Sequence, residues 1–502
     1  MSGAAETNRD GTVLPEFKQL MGHPQPLWML FMSEFWERFA FYGIRWALVL
    51  YIVAQFHNGS PTGQSEANLT YGSYLALVYA VAIFGGYIAD KVIGYQRSIL
   101  TGAVFMATGL FLITLPDPTI FKLGLSTIVV GNGLFKPNIS TIVGKCYAAG
   151  DERRDSGFTI FYMGINAGAF LSPLLTSWLA ESVFGSEGMP TYKVVFLTSG
   201  IGMLISLVWF YFGRRQLQGI GAPQADQQNR MRVIYVALGG IIAVPVVYTL
   251  LAVGAQNLQW VLSLMFIGLS VMLMIEGIRE GAQARDKTIA MLLIFVFNIM
   301  FWMFFEQAGS SFTFLADEIV NRQFGTWTFP TGWFQSVNAV AIILFAPIVA
   351  WVWVALARVN MNPSIPRKFG LGLIFNGLAF LLLMYALSSL LNADNKIPFW
   401  TLVAVYLIQS IGELCLSPIG LSMVTKLAPV RLVGLGMGGW FLSTGIGNNL
   451  SGIFASEVSG EGGMTVTSAH GGYTFGFWAL TIAGLILLVA APKVQKLMHG
   501  VK

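Results

Sequence analysis

The chain has 502 residues, of which 55% are hydrophobic and only 11% are charged. Soluble globular proteins carry about 25% charged residues, so this composition excludes a fold whose whole surface faces water. The net charge of +5 does not indicate nucleic-acid binding, because the basic residues lie in short loops and form no basic groove with interleaved aromatic rings. The two cysteines, Cys146 and Cys415, lie in separate apolar segments and are predicted to be packing residues rather than a disulfide.

Fourteen apolar segments follow one another along the chain, each long enough to cross roughly 30 Å of hydrocarbon. Together they predict an all-α membrane protein with fourteen transmembrane helices. The predicted spans are 28–56, 70–90, 97–115, 120–146, 157–180, 191–213, 232–253, 257–277, 288–314, 331–357, 367–391, 398–426, 434–456 and 472–492.

The polar start of the chain, Met1–Leu20, lacks the basic-then-apolar pattern of a cleaved signal peptide, so we expect the first span to direct insertion. The histidines are expected in loops or tails, which leaves none for proton relay within the membrane. No metal site and no cofactor is therefore expected. The four histidines are His23, His57, His470 and His499.

The distribution of basic residues predicts the orientation. Of the 29 lysines and arginines, 22 lie in the even-numbered loops and the two tails, among them Arg9 and Lys502. Basic residues concentrate on the cytoplasmic side of bacterial membrane proteins, so both termini are predicted to be cytoplasmic. The opposite side has only Lys122, Lys193, Arg322 and Lys396, and the three basic residues inside apolar segments are Arg38, Arg45 and Lys136.

The longest polar interior stretch, Arg214–Arg232, is rich in Gln and Gly and is predicted to be a cytoplasmic linker. The two segments after it carry no charge before Glu276, so we expect that pair to pack outside the main bundle. Removing the pair leaves six plus six helices, the arithmetic of a transporter with two six-helix halves. The predicted domains are a cytoplasmic tail (1–27), an N-terminal six-helix bundle (28–213), the linker with two extra helices (214–287), a C-terminal six-helix bundle (288–492) and a cytoplasmic tail (493–502).

The first segment carries a stripe of charges. Glu34, Arg38, Tyr42 and Arg45 are spaced at i, i+4, i+8 and i+11, which places them on one helix face with Glu37 adjacent. A charge at the bilayer centre costs about 2.5–3.5 kcal/mol on insertion scales, so this face must line a cavity or a helix contact. A structural ion pair is one interpretation. Protonating one acid, which would release Arg38 for another partner, is the other.

Three later segments each add one charge: Lys136 beside a helix-kinking proline, Glu306 and Glu413. The first half thus holds three cations and two acids, and the second half holds two acids. This asymmetry favours a dipolar ligand, such as an amino acid or short peptide, with its carboxylate on the cations and its ammonium on the acids. Direct pairing of Arg45 with Glu306 is the alternative. Ligand binding and this ion pair can alternate if the pair is a gate that breaks when the ligand binds.

Uncharged polar and aromatic residues extend the candidate site. Helix-packing hydrogen bonds are the default interpretation for the polar ones, and plain packing is the default for the tryptophans. In the functional interpretation, the tryptophans wall a pocket for apolar side chains. The polar residues are Tyr79, Asn166, Asn338 and Ser443, and the tryptophans are Trp302 and Trp440.

Five stretches of this sequence resemble the proton-dependent oligopeptide transporters, the peptide branch of the major facilitator superfamily. The stretch from Glu34 reads EFWERFAFYG and is similar to the family motif E-x-x-E-R-F-x-Y-Y, except that Phe41 replaces the first tyrosine. Residues 158–170 read FTIFYMGINAGAF, and residues 85–94, which contain Asp90, resemble the loop between the second and third helices. FWMFFEQ around Glu306 and GELCLSP around Glu413 extend the likeness to the second half.

The resemblance implies a major facilitator fold with two six-helix bundles plus two extra helices, as in bacterial members, and alternating access driven by an inward proton gradient. It implies that Glu34, Glu37 and Arg38 serve proton coupling with Lys136 nearby, and that Arg45 and Lys136 meet the peptide carboxylate. Asn166, Asn338 and Glu413 would meet the amino end and backbone, Tyr42 and Tyr79 would add hydrogen bonds, and Glu306 would pair with Arg45. Asp90 is interpreted as a conformational contact.

We therefore expect a proton-coupled symporter that imports di- and tripeptides across a bacterial inner membrane, as a monomer, with the proton as coupling ion. A carrier of nitrate or another small anion is the first rival, but a nitrate site should lack the second-half acid Glu413. A membrane enzyme would need a nucleophile, a His/Asp pair or a metal cluster at membrane depth, and the sequence offers none. A channel would gain nothing from the opposed charges of the two halves.

Overall fold

The computed structural model describes Thr7 and residues 13–186 and 190–501, so Arg9 and Lys502 lie outside the described residues. The first nine helices are α1 (Gln25–Arg45), α2 (Ala47–Phe56), α3 (Gln64–Ile88), α4 (Tyr95–Leu112), α5 (Pro118–Lys145), α6 (Arg153–Trp178), α7 (Tyr192–Gly213), α8 (Met231–Ala252) and α9 (Ala255–Glu280). The others are α10 (Ala282–Phe305), the short α11 (Ser311–Phe314), α12 (Gln335–Arg358), α13 (Ile365–Ser389), α14 (Phe399–Leu427), α15 (Val433–Ser459) and α16 (Val466–Leu497).

Helices occupy all fourteen predicted spans. In the described part of the chain, eleven are long and apolar enough to cross a membrane, and the bent pair α1–α2 raises the number to twelve. The other two predicted spans correspond to α4 and α15, and α15 is rich in Gly, Ser and Asn. Two antiparallel hairpins of two-residue strands accompany the helices: β1 (Gln19–Leu20) with β2 (His23–Pro24), and β3 (Gln323–Phe324) with β4 (Trp327–Thr328).

Two predicted spans are not single helices. The span 28–56 is divided at Trp46, where α1 and α2 meet at a 44° bend. The span 288–314 is interrupted after Phe305 and resumes as α11. The Gln307 side chain fills this second break, donating to the carbonyl and hydroxyl of Ser451 at 3.2 and 2.9 Å and accepting from Ser311 at 2.7 Å. The same side-chain amide also donates to the Met303 carbonyl of α10 at 3.0 Å, which gives that carbonyl a partner where the helix ends.

Two compact units emerge from the packing of the chain. Unit 1 contains 1–45 and 81–252, and unit 2 contains 46–80 and 253–502. Helix α3 therefore belongs to unit 2 up to Ala80 and to unit 1 from Val81 onward. The extra helices are also divided, because α8 lies in unit 1 and α9 in unit 2, whereas both are predicted from the sequence to form one domain with the linker. The predicted domain bounds remain a prediction.

In unit 1, α1 packs against α6 and α7, α4 packs against α5, and α8 covers α5. Helix α5 begins at Asp117, whose side chain accepts from the Ile120 backbone, with Pro118 at its first position. The predicted linker is ordered: the Gln96 backbone and side-chain amides donate to the carbonyls of Gly221 and Ile220 at 2.9 and 2.8 Å. These bonds hold the linker against the turn between α3 and α4.

In unit 2, α13 packs against α14 and α16, and α15 packs against α10 and α9. The first half of α3 approaches α15 so closely at Gly72 that a Cβ there would lie 2.6 Å from the Gly452 Cα. Helix α9 is fixed to α15 by Asn449, which donates to the Ala255 carbonyl at 2.8 Å and to Gln259 at 3.0 Å. Helices α8 and α9 are mostly exposed along their apolar windows, at 11% and 17% buried, but α12 is also 17% buried, so the position of the pair outside the bundle remains a prediction.

Two predictions about single residue types have different outcomes. Cys146 and Cys415 are both buried and unbridged, which confirms the prediction that they are packing residues. The prediction that every histidine lies in a loop or tail is wrong for His470, which lies near the start of α16. Helix α16 begins earlier than its apolar run, because Thr465 and Ser468 form a reciprocal cap ahead of it.

Candidate functional site

A cluster of three buried charges lies on α1. The Arg38 guanidinium contacts Glu37 through two nitrogens, with Nε against Oε2 and Nη2 donating to Oε1 at 2.6 Å. The same Nε lies 3.4 Å from Glu34 Oε1, one helical turn earlier. All three residues are at most 3% exposed. One cation thus holds two carboxylates, and the cluster has a net charge of −1 when both acids are ionised.

Helix α5 supplies neighbours to this cluster. Asn132, which the sequence analysis missed, is fully buried and donates to Glu37 Oε1 at 3.2 Å. Lys136 follows one turn later on the same helix face and is partly buried. The i, i+4 spacing of Asn132 and Lys136 within an apolar run was the only signal available for Asn132.

The far end of α1 carries the other stripe residues. Tyr42 and Arg45 are both partly buried, and the Arg45 guanidinium lies 5.6 Å from the centre of the Tyr42 ring. Phe41, where the family motif has tyrosine, lies under the Arg38 guanidinium at 4.8 Å. A phenyl face attracts a cation much as a phenol face does, so Phe41 retains this contact although it lacks the hydroxyl.

Asn166 lies on α6, the helix that packs against α1. It is 7% exposed, and its side-chain amide donates to the Tyr162 carbonyl of its own helix at 3.0 Å. The bond is local and leaves Asn166 on the helix face that its neighbours bury. Its predicted role in binding a ligand's amino end or backbone remains a prediction.

In unit 2, Glu413 on α14 is partly buried beside Asn338 on α12. The Asn338 amide donates to Glu413 Oε2 at 3.2 Å and to the Ser410 hydroxyl at 2.8 Å. Helices α12 and α14 pack together, which brings these residues from positions 75 apart in the chain. Asn338 is a neutral donor, so this bond orients the carboxylate without neutralising it.

Glu306 immediately follows the last residue of α10, and its backbone N–H closes the final turn onto the Trp302 carbonyl at 3.1 Å. The residue is 7% exposed. The C-terminal end of a helix carries partial negative charge, which disfavours a carboxylate and favours a cation nearby. Arg45 is the last residue of α1.

The two tryptophans differ in surroundings. Trp440 on α15 is 5% exposed and is surrounded by Phe295 and Phe369, each with its ring centre 6.1 Å away. Trp302 on α10 is partly exposed, and its indole N–H donates to Asn298. Packing thus accounts for Trp440, whereas Trp302 keeps an exposed face that can meet a ligand.

Two further predicted residues belong to unit 2. Ser443 is fully buried, accepts a hydrogen bond from Asn298 at 2.8 Å and donates to the Trp440 carbonyl at 2.7 Å. Tyr79, on the first half of α3, is partly buried beside Gly445 of α15. Asn298 was not among the predicted residues, and the one sequence signal for it is its i, i+4 spacing to Trp302, which predicts contact on one helix face.

Within unit 1 the structure thus brings together Glu34, Glu37 and Arg38. Within unit 2 it brings Asn338 to Glu413, and joins Trp302 to Ser443 through Asn298. Arg45 and Glu306 belong to different units, and their pairing remains a prediction.

Comparison with known proteins identifies relatives along nearly the whole chain. A family model described as the POT family matches residues 96–464. The peptide transporter YePEPT of Yersinia enterocolitica is 33% identical, with 97% of this chain and 98% of that protein covered. The dipeptide and tripeptide permease B of Aliivibrio fischeri is 32% identical, with 95% and 96% covered.

Solved structures give the same result for the fold. A substituted peptide transporter POT in complex with alafosfalin superposes with a TM-score of 0.81 at 32% identity, covering 97% of this chain and 98% of that chain. The tetrameric PepTSo2 superposes with a TM-score of 0.80 at 26% identity, covering 94% and 98%.

Proposed function

This chain belongs to the POT family, and we infer that it is a proton-coupled symporter that imports di- and tripeptides by alternating access. It has the major facilitator fold of the POT transporter structures, and it is a transporter rather than an enzyme. The observation that carries the coupling is the buried cluster of Glu34, Glu37 and Arg38 on one helix. Buried charges in membrane helices are retained mainly where they pair or lie on a substrate or ion pathway.

The proton is proposed to bind this cluster. Neutralising Glu34 or Glu37 removes one of the two negative charges that hold Arg38, so the guanidinium can shift toward another partner. Asn132 donates to Glu37 and Lys136 lies near Glu34, so both tune the cluster from α5. Proton binding would thereby be linked to a change in how α1 is held.

The peptide is proposed to bind with its carboxylate at Arg45 and Lys136 and its amino end at Glu413. Asn338 supports this role, because it orients the Glu413 carboxylate through a neutral amide and preserves its charge for an ammonium group. The remaining proposed contacts with the peptide backbone or side chains are Tyr42, Tyr79, Asn166, Trp302, Trp440 and Ser443. For Ser443 and Trp440, which are buried, the contribution is indirect, through the groups they support.

Arg45 and Glu306 are proposed to form a gating salt bridge. Arg45 ends α1 at the 44° bend, and Glu306 ends α10 at its break. A cation beside Glu306 would offset the unfavourable end of the α10 dipole. Peptide binding competes for Arg45 in this scheme, so that substrate and gate share one cation.

The location and assembly proposed for this protein are those expected from the sequence. The chain is a multi-span helical protein of a family found in bacterial membranes. We propose that the membrane is the inner membrane, that both termini are cytoplasmic and that one copy suffices for transport. The similar protein PepTSo2 is tetrameric, so the number of copies needed for transport is to be measured.

Uptake by the purified chain in liposomes tests the function. With an inside-alkaline pH gradient, labelled dialanine should accumulate, and a proton ionophore should abolish the accumulation. Unlabelled dialanine should compete, whereas nitrate should not. Accumulation that ignores the ionophore, or that nitrate blocks, would overturn the proposal.

The variant Glu37→Gln tests the coupling residue. It should lose uptake driven by the pH gradient but retain exchange of dialanine between the two sides of the membrane. Unchanged driven uptake would remove Glu37 from the coupling mechanism while leaving peptide transport in place.

A further inference from the structure

The Asn298 side chain lies beside the Trp302 indole on the same face of α10. The two residues are one helical turn apart, and the indole N–H donates to Asn298 Oδ1 at 2.9 Å. Asn298 is fully buried, whereas Trp302 is partly exposed. The partly exposed Trp302 side chain is therefore hydrogen-bonded to a fully buried residue, Asn298.

Neighbouring hydroxyl groups fix the orientation of the Asn298 amide. Its Nδ2 donates to Ser443 Oγ at 2.8 Å and to Thr444 Oγ1 at 3.1 Å. Both hydroxyls direct their own hydrogens to the Trp440 carbonyl, at 2.7 and 3.2 Å, so they accept from Asn298. A flipped amide would place two acceptors against Asn298 Oδ1 and would leave the indole N–H facing an NH₂ group. Only one orientation therefore satisfies the whole network, and in it Oδ1 faces Trp302.

Contacts with its neighbours also restrict Trp302. A Cβ added at Gly447 of α15 would lie 2.8 Å from the Trp302 Cβ, so α15 presses against the base of the side chain. The rings of Phe301 and Phe305 meet the indole nearly edge-on, with centres 5.4 and 5.2 Å away. The hydrogen bond to Asn298 selects one indole orientation within this space, because any orientation that leaves the N–H without an acceptor costs free energy.

We propose that Asn298 is a positioning residue for substrate selectivity, which holds the Trp302 indole in the orientation that discriminates between peptide side chains. This inference rests on the proposed function, in which Trp302 contacts the peptide side chain. A wall held by a hydrogen bond to a buried anchor discriminates by shape, whereas an indole free to rotate accommodates more shapes. Asn298 itself acts only through Trp302.

Competition measurements in liposomes give the selectivity readout. The concentrations of dialanine and of dileucine that halve labelled dialanine uptake are measured, and their ratio is compared between variants. Asn298→Leu preserves approximate volume and removes the indole acceptor. The ratio should change about three- to tenfold, the scale of one lost hydrogen bond, while dialanine uptake persists.

Two comparisons separate positioning from loosened packing. Asn376→Leu is a matched control, because Asn376 is also a fully buried amide in unit 2 and reaches α10 at the Phe301 carbonyl. It should leave the ratio unchanged. In a Trp302→Phe background, which lacks the indole N–H, Asn298→Leu should produce no further change in the ratio.

Several results would overturn the inference. They are an unchanged ratio in Asn298→Leu, an equal change in Asn376→Leu, or a full additional change in the Trp302→Phe background. If Asn298→Leu is not recovered in folded form, Asn298→Ala supplies the same comparisons. Failure of the proposed function would appear differently, as absent dialanine uptake in the unaltered chain.

Discussion

The two units hold their buried acids in different ways. In unit 1, Glu34 and Glu37 pair with Arg38, an opposite charge on the same helix. Two nitrogens of the Arg38 guanidinium contact Glu37, and one of them also lies 3.4 Å from Glu34. In unit 2, Glu413 accepts from Asn338, a neutral amide on another helix. A charged partner offsets a carboxylate's charge, whereas a neutral donor mainly fixes its direction. The first arrangement is suited to a protonation switch and the second to recognition of a cationic ligand group.

Removing Arg38, the cation of the α1 cluster, should have the largest effect on stability and uptake. Arg38→Met leaves two carboxylates buried together without their cation, a loss of about 3–5 kcal/mol for a broken buried pair. We expect a sharp fall in the yield and thermal stability of purified protein, and no proton-driven dialanine uptake. Arg38→Lys is the control, because it keeps the charge but loses the two-nitrogen geometry, and it should recover stability more than uptake. Full driven uptake by Arg38→Met would contradict the assignment of a charge-held switch.

Neutralising Glu413 in unit 2 should affect peptide recognition and not folding. In Glu413→Gln, the KM for dialanine should rise by roughly 10- to 100-fold, the scale of a lost hydrogen bond to a charged group. An N-acetylated dialanine lacks the ammonium group, so its weak competition should not change. Liposome uptake at several peptide concentrations measures both. An equal loss of affinity for both compounds would show that Glu413 does not recognise the amino end.

Removing the neutral donor should have a smaller effect in the same direction. Asn338→Ala leaves Glu413 charged but less well oriented, so the KM for dialanine should rise about three- to tenfold with thermal stability nearly unchanged. Ser410→Ala removes only the second partner of Asn338 and should have the weaker effect of the two. A larger effect from Ser410→Ala would place the important bond of Asn338 at the Ser410 hydroxyl rather than at the Glu413 carboxylate.

Glu318, another acid of unit 2, extends the comparison to a site outside the membrane-spanning helices. Glu318 is exposed as a residue, but its carboxyl accepts from the buried Gln64 side chain, which also binds the Met464 backbone N–H. Burial of the carboxyl and the adjacent Asp317 charge raise the pKa of Glu318 to about 7, although the Gln64 bond opposes the shift. Arg322 lies 2.9 Å from Asp317 and is the cation paired with that neighbour.

The raised pKa gives a pH dependence of stability with a defined sign. A carboxyl whose folded pKa exceeds its unfolded value of 4.5 stabilises the fold fully only below that value, and this contribution is lost as pH rises from there through about 7. Glu318→Gln should therefore match the unaltered chain most closely at about pH 4 and melt roughly 1–3 °C higher at about pH 8. Thermal unfolding in detergent at both pH values measures this, with the exposed loop residue Glu461→Gln as control. Equal melting temperatures at pH 8 would contradict the expected sign.

The sequence predicted the helices and the α1 cluster but not the neutral partners Asn132 and Asn298. Glu34, Glu37 and Arg38 lie within five residues of one another, so helical periodicity alone brings them together. Asn132 meets Glu37 across 95 positions, and Asn298 meets Ser443 across 145, and neither contact has a local signal. The breaks at Trp46 and after Phe305 were also missed, although Arg45 adjoins the first and the mostly polar stretch EQAGSS, residues 306–311, follows the second. The Gln307 contacts at the second break include Ser451 on α15, which follows more than 100 residues later.

The local nature of the α1 cluster also affects how the protein is made. Transmembrane helices leave the ribosome in chain order, so α1 meets lipid before α5 or α6 exists. Three uncompensated charges on an emerging helix would each oppose insertion by about 2.5–3.5 kcal/mol. Because Arg38 contacts Glu34 and Glu37 on its own helix, part of that penalty can be offset before any partner helix arrives. A charge cluster held within one helix can thus form in the order in which the chain is made, without waiting for the rest of the bundle.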